Sequence, residues 1–171
     1  ILGGATKVAY EASWETLGRG AAPIDLEPGA RLLDEVDVAD LESEATHKYW
    51  FGANENENHV YTRWNAEGDL VVDGGRTNRY YDGFVVRLEP GKPARLVLRV
   101  GAEEPIDLQV QVGDRDIALV SVPPISWMEQ EVLIPAEFAS DQTVLRVQAK
   151  DLSKRFTSMH YWFYEPTDAA P

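Results

Sequence analysis

The fold is decided by residues 105–122, which read PIDLQVQVGDRDIALVSV. In the first eight of these residues, Ile106, Leu108, Val110 and Val112 alternate with polar side chains, and a Gly-Asp pair then precedes a second apolar run. Alternation with period two is typical of a β-strand that buries one face, and Gly-Asp favours a turn. The stretch therefore predicts two neighbouring antiparallel strands.

The same pattern extends along the chain. Residues 84–88 alternate, and the turn-forming sequence EPGKP at 89–93 leads into the apolar run 94–100, so we predict a hairpin there. The helical signal is confined to residues 38–45 and amounts to one or two turns. Together these signals predict an all-β protein, a two-sheet antiparallel β-sandwich of the jelly-roll type with about ten or eleven strands. The further predicted strands cover residues 7–12, 31–36, 47–51, 59–64, 69–72, 127–134, 143–150 and 158–165.

The N-terminal part differs from the rest in composition. Residues 16–29 contain three Gly and two Pro and show little periodicity. We therefore expect residues 1–30 to form an arm or linker packed on the body, and residues 31–171 to form the β-sandwich domain.

Composition excludes several classes of function. The chain of 171 residues has 29 acidic and 16 basic side chains, a net charge of −13, and no cysteine. An excess of negative charge disfavours nucleic acid and anionic membranes as partners, and the sequence lacks the ~20-residue apolar run that membrane insertion requires. Disulfides and cysteine-ligated zinc are excluded as well.

Motifs of nucleophilic catalysis are absent from the sequence, which has no Gly-x-Ser-x-Gly elbow, no Walker loop and no His-Glu-x-x-His. We therefore expect a non-enzymatic protein. A hydrolase with two dispersed carboxylates stays open as a minor alternative, because it needs only two acids in one cleft.

Acidic residues crowd the segment around the predicted helical turn. Asp37, Asp40 and Glu42 provide the hard oxygen ligands that calcium prefers, and they are the candidate metal ligands. The alternative is a solvated acidic surface that favours solubility.

Aromatic residues lie beside several turn signals. A sugar ring has an apolar face and a polar rim, so a sugar site needs flat rings beside hydrogen-bonding side chains. The alternative is that these rings are half-buried core residues with a polar tip in water. The candidate ligand-binding residues are Trp64, Arg76, Arg79, Tyr80, Tyr81, Asp82 and Trp127.

Alternation also predicts a polar sheet face. If the apolar residues of the predicted hairpin face the core, Arg87, Arg95 and Arg99 point outward. Such a face would suit a hydroxylated or acidic ligand. The alternative is a surface network of salt bridges. The polar residues of the next strand are Asp107, Gln109 and Gln111, and the possible ion-pair partners are Glu129, Glu131 and Asp107.

The sequence from residue 84 onward resembles a galactose-binding-like jelly roll. The resemblance is carried by FVVRLEPGKPARLVLR at 84–99, the strand 106–112, WMEQEV at 127–132 followed by Ile134-Pro135, and the aromatic strand 160–164. It implies the fold of carbohydrate-binding modules and accessory domains of secreted bacterial proteins, with a structural calcium ion near the first and last strands.

This resemblance implies a non-catalytic carbohydrate-binding or accessory module, located outside the cell or at its surface. Its partners would be a carbohydrate or the rest of a larger polypeptide. The alternative is a structural or assembly subunit that contacts other protein chains through exposed aromatics and an N-terminal arm, for example by adding residues 6–11 to a neighbour's sheet edge.

Overall fold

Nine antiparallel strands make up most of the described structure. The structure, a computed structural model, describes Pro23 and residues 29–64 and 70–166, without the side chains of residues 53–64 and 70. The all-β prediction is confirmed. The elements are β1 (Leu32–Asp37), α1 (Leu41–Thr46), β2 (Trp50–Trp64), β3 (Leu70–Val86), β4 (Ala94–Ala102), β5 (Ile106–Val112), β6 (Arg115–Val122), β7 (Ile125–Ile134), β8 (Thr143–Ala149) and β9 (Arg155–Tyr164).

The strands form two layers that share one long strand. The first layer has the order β6-β5-β8-β3, with the start of β2 beyond β3. In the second layer β9 lies between β4 and β1, and β7 lies beyond β4. Strand β3 belongs to both layers, because its residues 76–79 pair with β9 and its residues 81–86 pair with β8.

The core lies between the two layers. Phe84, Val110 and Val147 from the first layer and Leu96 and Phe163 from the second are fully buried in one cluster. Burying a side chain of this kind stabilises the fold by roughly 1.5–3 kcal/mol. The alternating apolar side chains of β5, β8 and the end of β3 therefore face inward, as predicted.

Two local predictions were wrong. The hairpin of 84–88 with 94–100 does not form, because β9 lies between β3 and β4, and the turn at Gly91 instead carries the chain to the other layer. The strand predicted at 47–51 begins only at Trp50, since His47 ends α1. Turn residues show where a chain reverses but not which strand it then pairs with.

The predicted helical turn is present, shifted by a few residues. Helix α1 begins after Asp40, whose Oδ1 accepts a hydrogen bond of 2.8 Å from the backbone N–H of Ser43. Within the described part of the chain α1 is the one α-helix, and six residues are too few to cross a membrane. The strand predicted at 7–12, and the arm at 1–30 apart from Pro23 and residues 29–30, lie outside the described residues.

Strand β3 changes layers at Tyr80. This residue has φ +75°, a left-handed conformation that is uncommon for a bulky side chain. It separates Arg79, which pairs with β9, from Tyr81, which pairs with β8. The left-handed residue interrupts the alternation and lets one strand serve two layers.

A buried carboxylate stabilises the part of β3 that changes layers. Asp82 is fully buried, and the hydroxyl groups of Tyr49 and Tyr161 each donate a hydrogen bond of 2.8 Å to it. The Asn78 amide and the Ser158 hydroxyl donate two more. Burial raises the pKa of Asp82 to about 6, against the opposing effect of the hydroxyl donors.

We predict that Asp82→Asn lowers the free energy of unfolding by about 1–3 kcal/mol, because an amide cannot accept from all four donors. The raised pKa makes the wild-type contribution greatest below about pH 4 and progressively weaker as the pH rises through 6. The stability difference between the two proteins should therefore narrow from pH 4 to pH 7 in urea unfolding. Asp141→Asn, on the exposed surface, is the control. A difference that stays constant or widens with pH would contradict the assignment.

Candidate functional site

The outer surface of the first layer carries an open patch of planar side chains, which we call the amide face. Outward-pointing positions of β3, β8 and β5 form its centre, and β2 and β6 border it. Its side chains are partly or fully exposed. The amide face consists of Trp50, Tyr81, Gly83, Gln109, Gln111, Asp116, Arg146 and Gln148.

Strand register arranges these residues in two rows. One row runs from Gly83 through Arg146 and Gln111 to Asp116. The second row runs in parallel from Tyr81 through the amides of β8 and β5. Since neighbouring strands are about 4.8 Å apart, the first row crosses about 15 Å of surface and the second about 10 Å.

A single carboxylate orients two of the amides. The Nε2 groups of Gln109 and Gln111 donate hydrogen bonds of 2.5 and 2.7 Å to the two carboxylate oxygens of Asp116. An amide whose NH₂ group is fixed in this way presents its carbonyl oxygen in a defined direction. The amide face thus offers preoriented hydrogen-bond acceptors rather than free carboxylates.

Two aromatic rings border the amides. Trp50 pairs with Gly83, and a Cβ atom at Gly83 would overlap the indole ring, so the ring lies directly on the β3 backbone. Tyr81 is two residues earlier on the same face of β3. The guanidinium carbon of Arg146 lies 5.0 Å from the centre of the Tyr81 ring. Flat rings and hydrogen-bonding groups are thus brought together on an open surface.

We predict that Gly83→Ala displaces the Trp50 indole while the fold is retained, because the added methyl group requires the space that the ring occupies. Tryptophan fluorescence and the near-ultraviolet circular dichroism signal should change, whereas the far-ultraviolet spectrum should stay the same. The control is Gly113→Ala, which meets no atom within 4 Å of the added Cβ but strains a left-handed turn (φ +57°). It should therefore lose some stability and leave the aromatic signals unchanged. Unchanged aromatic signals in Gly83→Ala would contradict this placement of Trp50.

The predicted ligand-binding residues lie in different places. Tyr81 is on the amide face, and Tyr80 is 39% exposed and packs on Gly52. Arg76 is bound internally, 2.5 Å from a carboxylate oxygen of Glu44. Among the candidates whose side chains are described, Tyr81 is therefore the one that the structure brings to the amide face.

The other candidates occupy less accessible positions. Asp82 is fully buried, so its carboxylate serves the interior rather than a ligand. Trp127 is 0% exposed and packs against Arg99, 4.2 Å from the guanidinium carbon to the ring centre. Arg79 is partly buried at the end of the β3–β9 pairing. For Trp64 the structure describes the backbone, at the end of β2.

The predicted outward grouping of Arg87, Arg95 and Arg99 is also corrected, because β3 and β4 are not neighbours. The salt-network alternative fits better. Arg99 Nη2 lies 2.6 Å from Glu129, and Arg95 Nη1 lies 3.5 Å from Glu131. These contacts lie on the second layer, far along the sheet order from the amide face.

Arg99 is the centre of a buried polar cluster. Its Nη1 donates to Asp73 at 2.5 Å, and its guanidinium lies between the rings of Trp127 and Trp162. A buried guanidinium is tolerated only where carboxylates and hydrogen bonds compensate its lost hydration. The cluster on the second layer is therefore internally satisfied.

Next to this cluster, three potential metal-ligand atoms lie within 4.8 Å of one another. His160 Nδ1 is 3.6 Å from Asp73 and 3.8 Å from Asp37. Burial opposes protonation of the imidazole, but Asp73 and Glu35 outweigh it and raise the pKa of His160 to about 9. Burial also raises the pKa of Asp37 to about 7, against the effect of His160.

The donor set of this buried group does not suit calcium. Calcium takes six to eight oxygen ligands, whereas here an imidazole supplies one donor, and Arg99 already binds Asp73. On the solvent side of Asp37 the lining consists of carboxylates and hydroxyls together with His47, whose two ring nitrogens contact Ser43 O and Asp34 Oδ1. Asp37, Asp40 and Glu42 line one open depression of about 330 Å³ together with Glu35. The structure thus brings the three predicted calcium ligands to the same depression.

No family model matches the sequence, and no curated protein matches it. Solved structures do match. The CBM22-1 xylan-binding domain from Paenibacillus barcinonensis is 10% identical with a TM-score of 0.46, over 83% of this chain and 100% of that one. The CBM36 module in complex with calcium and xylotriose is 10% identical with a TM-score of 0.48, over 76% of this chain and 98% of that one.

A third match is the CBM51 module from Clostridium perfringens in complex with methyl-galactose. It is 16% identical with a TM-score of 0.43, over 75% of this chain and 99% of that one. All three are carbohydrate-binding modules, the class of domain named by the sequence resemblance. The likeness is partial, and the site is defined by the residues of this chain alone.

Proposed function

We propose that the protein is a non-catalytic carbohydrate-binding module that binds a polysaccharide chain across its amide face. The observation that supports this is the pairing of two aromatic rings, Trp50 and Tyr81, with oriented amides on an open sheet surface. Rings can pack on the apolar faces of sugars, while amide groups bond the hydroxyls.

An extended ligand fits this surface better than a single small molecule. The longer row of the amide face crosses about 15 Å, which accommodates several sugar units, and the surface is a flat sheet rather than a closed cavity. Each ring contributes about 1 kcal/mol beyond the area it buries, and each hydrogen bond contributes about 1 kcal/mol net. We therefore expect weak binding that depends on several contacts.

The proposal extends to the setting in which the module acts. We propose that the module has an accessory role as part of a larger extracellular polypeptide, where a binding surface of this kind is useful. The assembly role of the N-terminal arm depends on residues outside the described part of the chain, and we do not propose it.

We predict that Trp50→Ala and Tyr81→Ala each weaken binding to an oligosaccharide about tenfold or more, because each removes one stacking ring. Calorimetric titration with xylotriose, cellotriose and methyl-galactose would measure this. These sugars are bound in three of the similar modules. Tyr80→Ala is the matched control and should bind like the wild type.

The same titration can contradict the proposal. Loss of binding in Tyr80→Ala with normal binding in Tyr81→Ala would move the site away from the amide face. A wild-type protein that binds none of a broad panel of plant, algal and bacterial polysaccharides would remove the carbohydrate-binding function altogether.

We also propose that calcium binds in the depression beside α1. The depression is lined by the acidic side chains of Glu35, Asp37, Asp40 and Glu42. These are the hard oxygen ligands that calcium selects. A bound ion would neutralise their mutual repulsion and tie β1 to α1.

We predict that calcium raises the melting temperature relative to the protein in EDTA, because an ion that binds only the folded state stabilises it by mass action. At 100 times the dissociation constant the gain is about 2.7 kcal/mol. Asp37→Asn should lose most of this shift, and Asp141→Asn should keep it. Equal melting temperatures of the wild type in millimolar calcium and in EDTA would contradict the site.

A further inference from the structure

Arg146 has an unusual environment on the amide face. Its guanidinium lies against the Tyr81 ring. Its Nε is buried without a hydrogen-bond partner, as is the Nε of Arg76, so the lack of a carboxylate is what distinguishes Arg146. Among the described residues, no carboxylate lies within ion-pairing distance of it. Arg146 thus presents a positive charge that the folded chain does not neutralise locally.

Three other partly or fully buried arginines of the described chain lie next to carboxylates. Arg76, Arg95 and Arg99 each contact at least one carboxylate, at distances of 2.5–3.5 Å. With 29 acidic and 16 basic side chains, this protein has carboxylates in excess. The absence of a partner at Arg146 is therefore a property of the amide face, since acids are plentiful elsewhere.

The nearest acid in the same row does not supply that partner. Asp116 lies at the far end of the row and accepts from Gln109 and Gln111 through both of its oxygens. Because Asp116 lies two strands from Arg146, about 10 Å at the usual strand spacing, it does not pair with the guanidinium. The outer nitrogens of Arg146 are therefore available to a group that comes from solvent.

We propose that Arg146 binds the carboxylate of a uronic acid, so that the ligand is a mainly neutral polysaccharide with isolated acidic sugars. This inference rests on the proposed function. A guanidinium bonds a carboxylate through two parallel N–H groups, and its stacking on Tyr81 fixes the plane in which it does so.

The charge of the surface limits how acidic the ligand can be. Arg146 is the single cation among the residues that define the amide face. Asp116 lies at its β6 side, and Asp107 lies beyond it, beside Lys150. A second nearby carboxylate on the ligand would meet these acids and the net charge of −13. A densely charged polyanion is thus disfavoured, whereas one carboxylate among several neutral sugars matches the single guanidinium.

The experiment compares two probes that differ in one group. Xylotetraose and xylotetraose that carries one methylglucuronic acid are titrated into the full chain at low and high salt. We expect the acidic probe to bind about tenfold more tightly at low salt, and the ratio to fall as salt rises. A sulfated neutral-backbone oligosaccharide should bind less tightly than the uronic acid probe.

Substitutions at Arg146 test whether this residue causes the tighter binding of the acidic probe. In Arg146→Gln the affinity ratio of acidic to neutral probe should fall to about one. Arg146→Lys keeps the charge without the planar fork and should retain an intermediate ratio. The matched control is Arg115→Gln, an exposed arginine at the start of β6 that should leave the ratio unchanged. Circular dichroism melting shows that each variant is folded.

The outcomes separate this inference from the proposed function. A wild type that binds both probes equally, or an Arg146→Gln variant that keeps the preference, overturns the uronic acid assignment and leaves the carbohydrate-binding function standing. Tighter binding of the sulfated probe overturns the carboxylate assignment. A protein that binds no sugar, whatever its charge, overturns the proposed function and this inference with it.

Discussion

The buried carboxylate of Asp82 is the constraint on which the rest of the structure depends. It lies just after β3 passes from the second layer to the first, and it accepts hydrogen bonds from residues of β3, β9 and the segment before β2. Because side chains alternate along a strand, burying Asp82 sends its neighbours Tyr81 and Gly83 to the outer surface. The same interaction that joins the layers therefore positions the centre of the amide face.

The outer faces of the two layers accommodate polar side chains in opposite ways. On the second layer, Arg99 is fully buried, and carboxylates and indole rings surround it. On the first layer, the side chains of Gln109, Gln111 and Gln148 are neutral amides that remain partly in contact with water. Removing an amide from water costs much less than removing a charge, so the first layer is the face that can bind and release a hydroxylated ligand.

Alternation in the sequence was sufficient to predict the strands from β4 onward and the inward residues of the core. The same alternation predicted that Gln109 and Gln111 point outward. Applied to β8, it predicts that Arg146 lies on that face as well. Trp50 was missed for a different reason, because its role depends on pairing with Gly83 across β2 and β3. The order of strands, and hence the failure of the hairpin before β4, depends on tertiary packing that no local pattern contains.

The two arginines show why an unpaired cation can persist on the amide face. A fully buried guanidinium such as that of Arg99 would be unstable without its carboxylates, since no water could replace them. Arg146 is only partly buried and has one buried unpartnered nitrogen, so water solvates its outer edge when no ligand is present. The Tyr81 ring compensates part of the remaining cost. The free protein therefore tolerates this charge, and an incoming carboxylate gains a preoriented partner without breaking an existing ion pair.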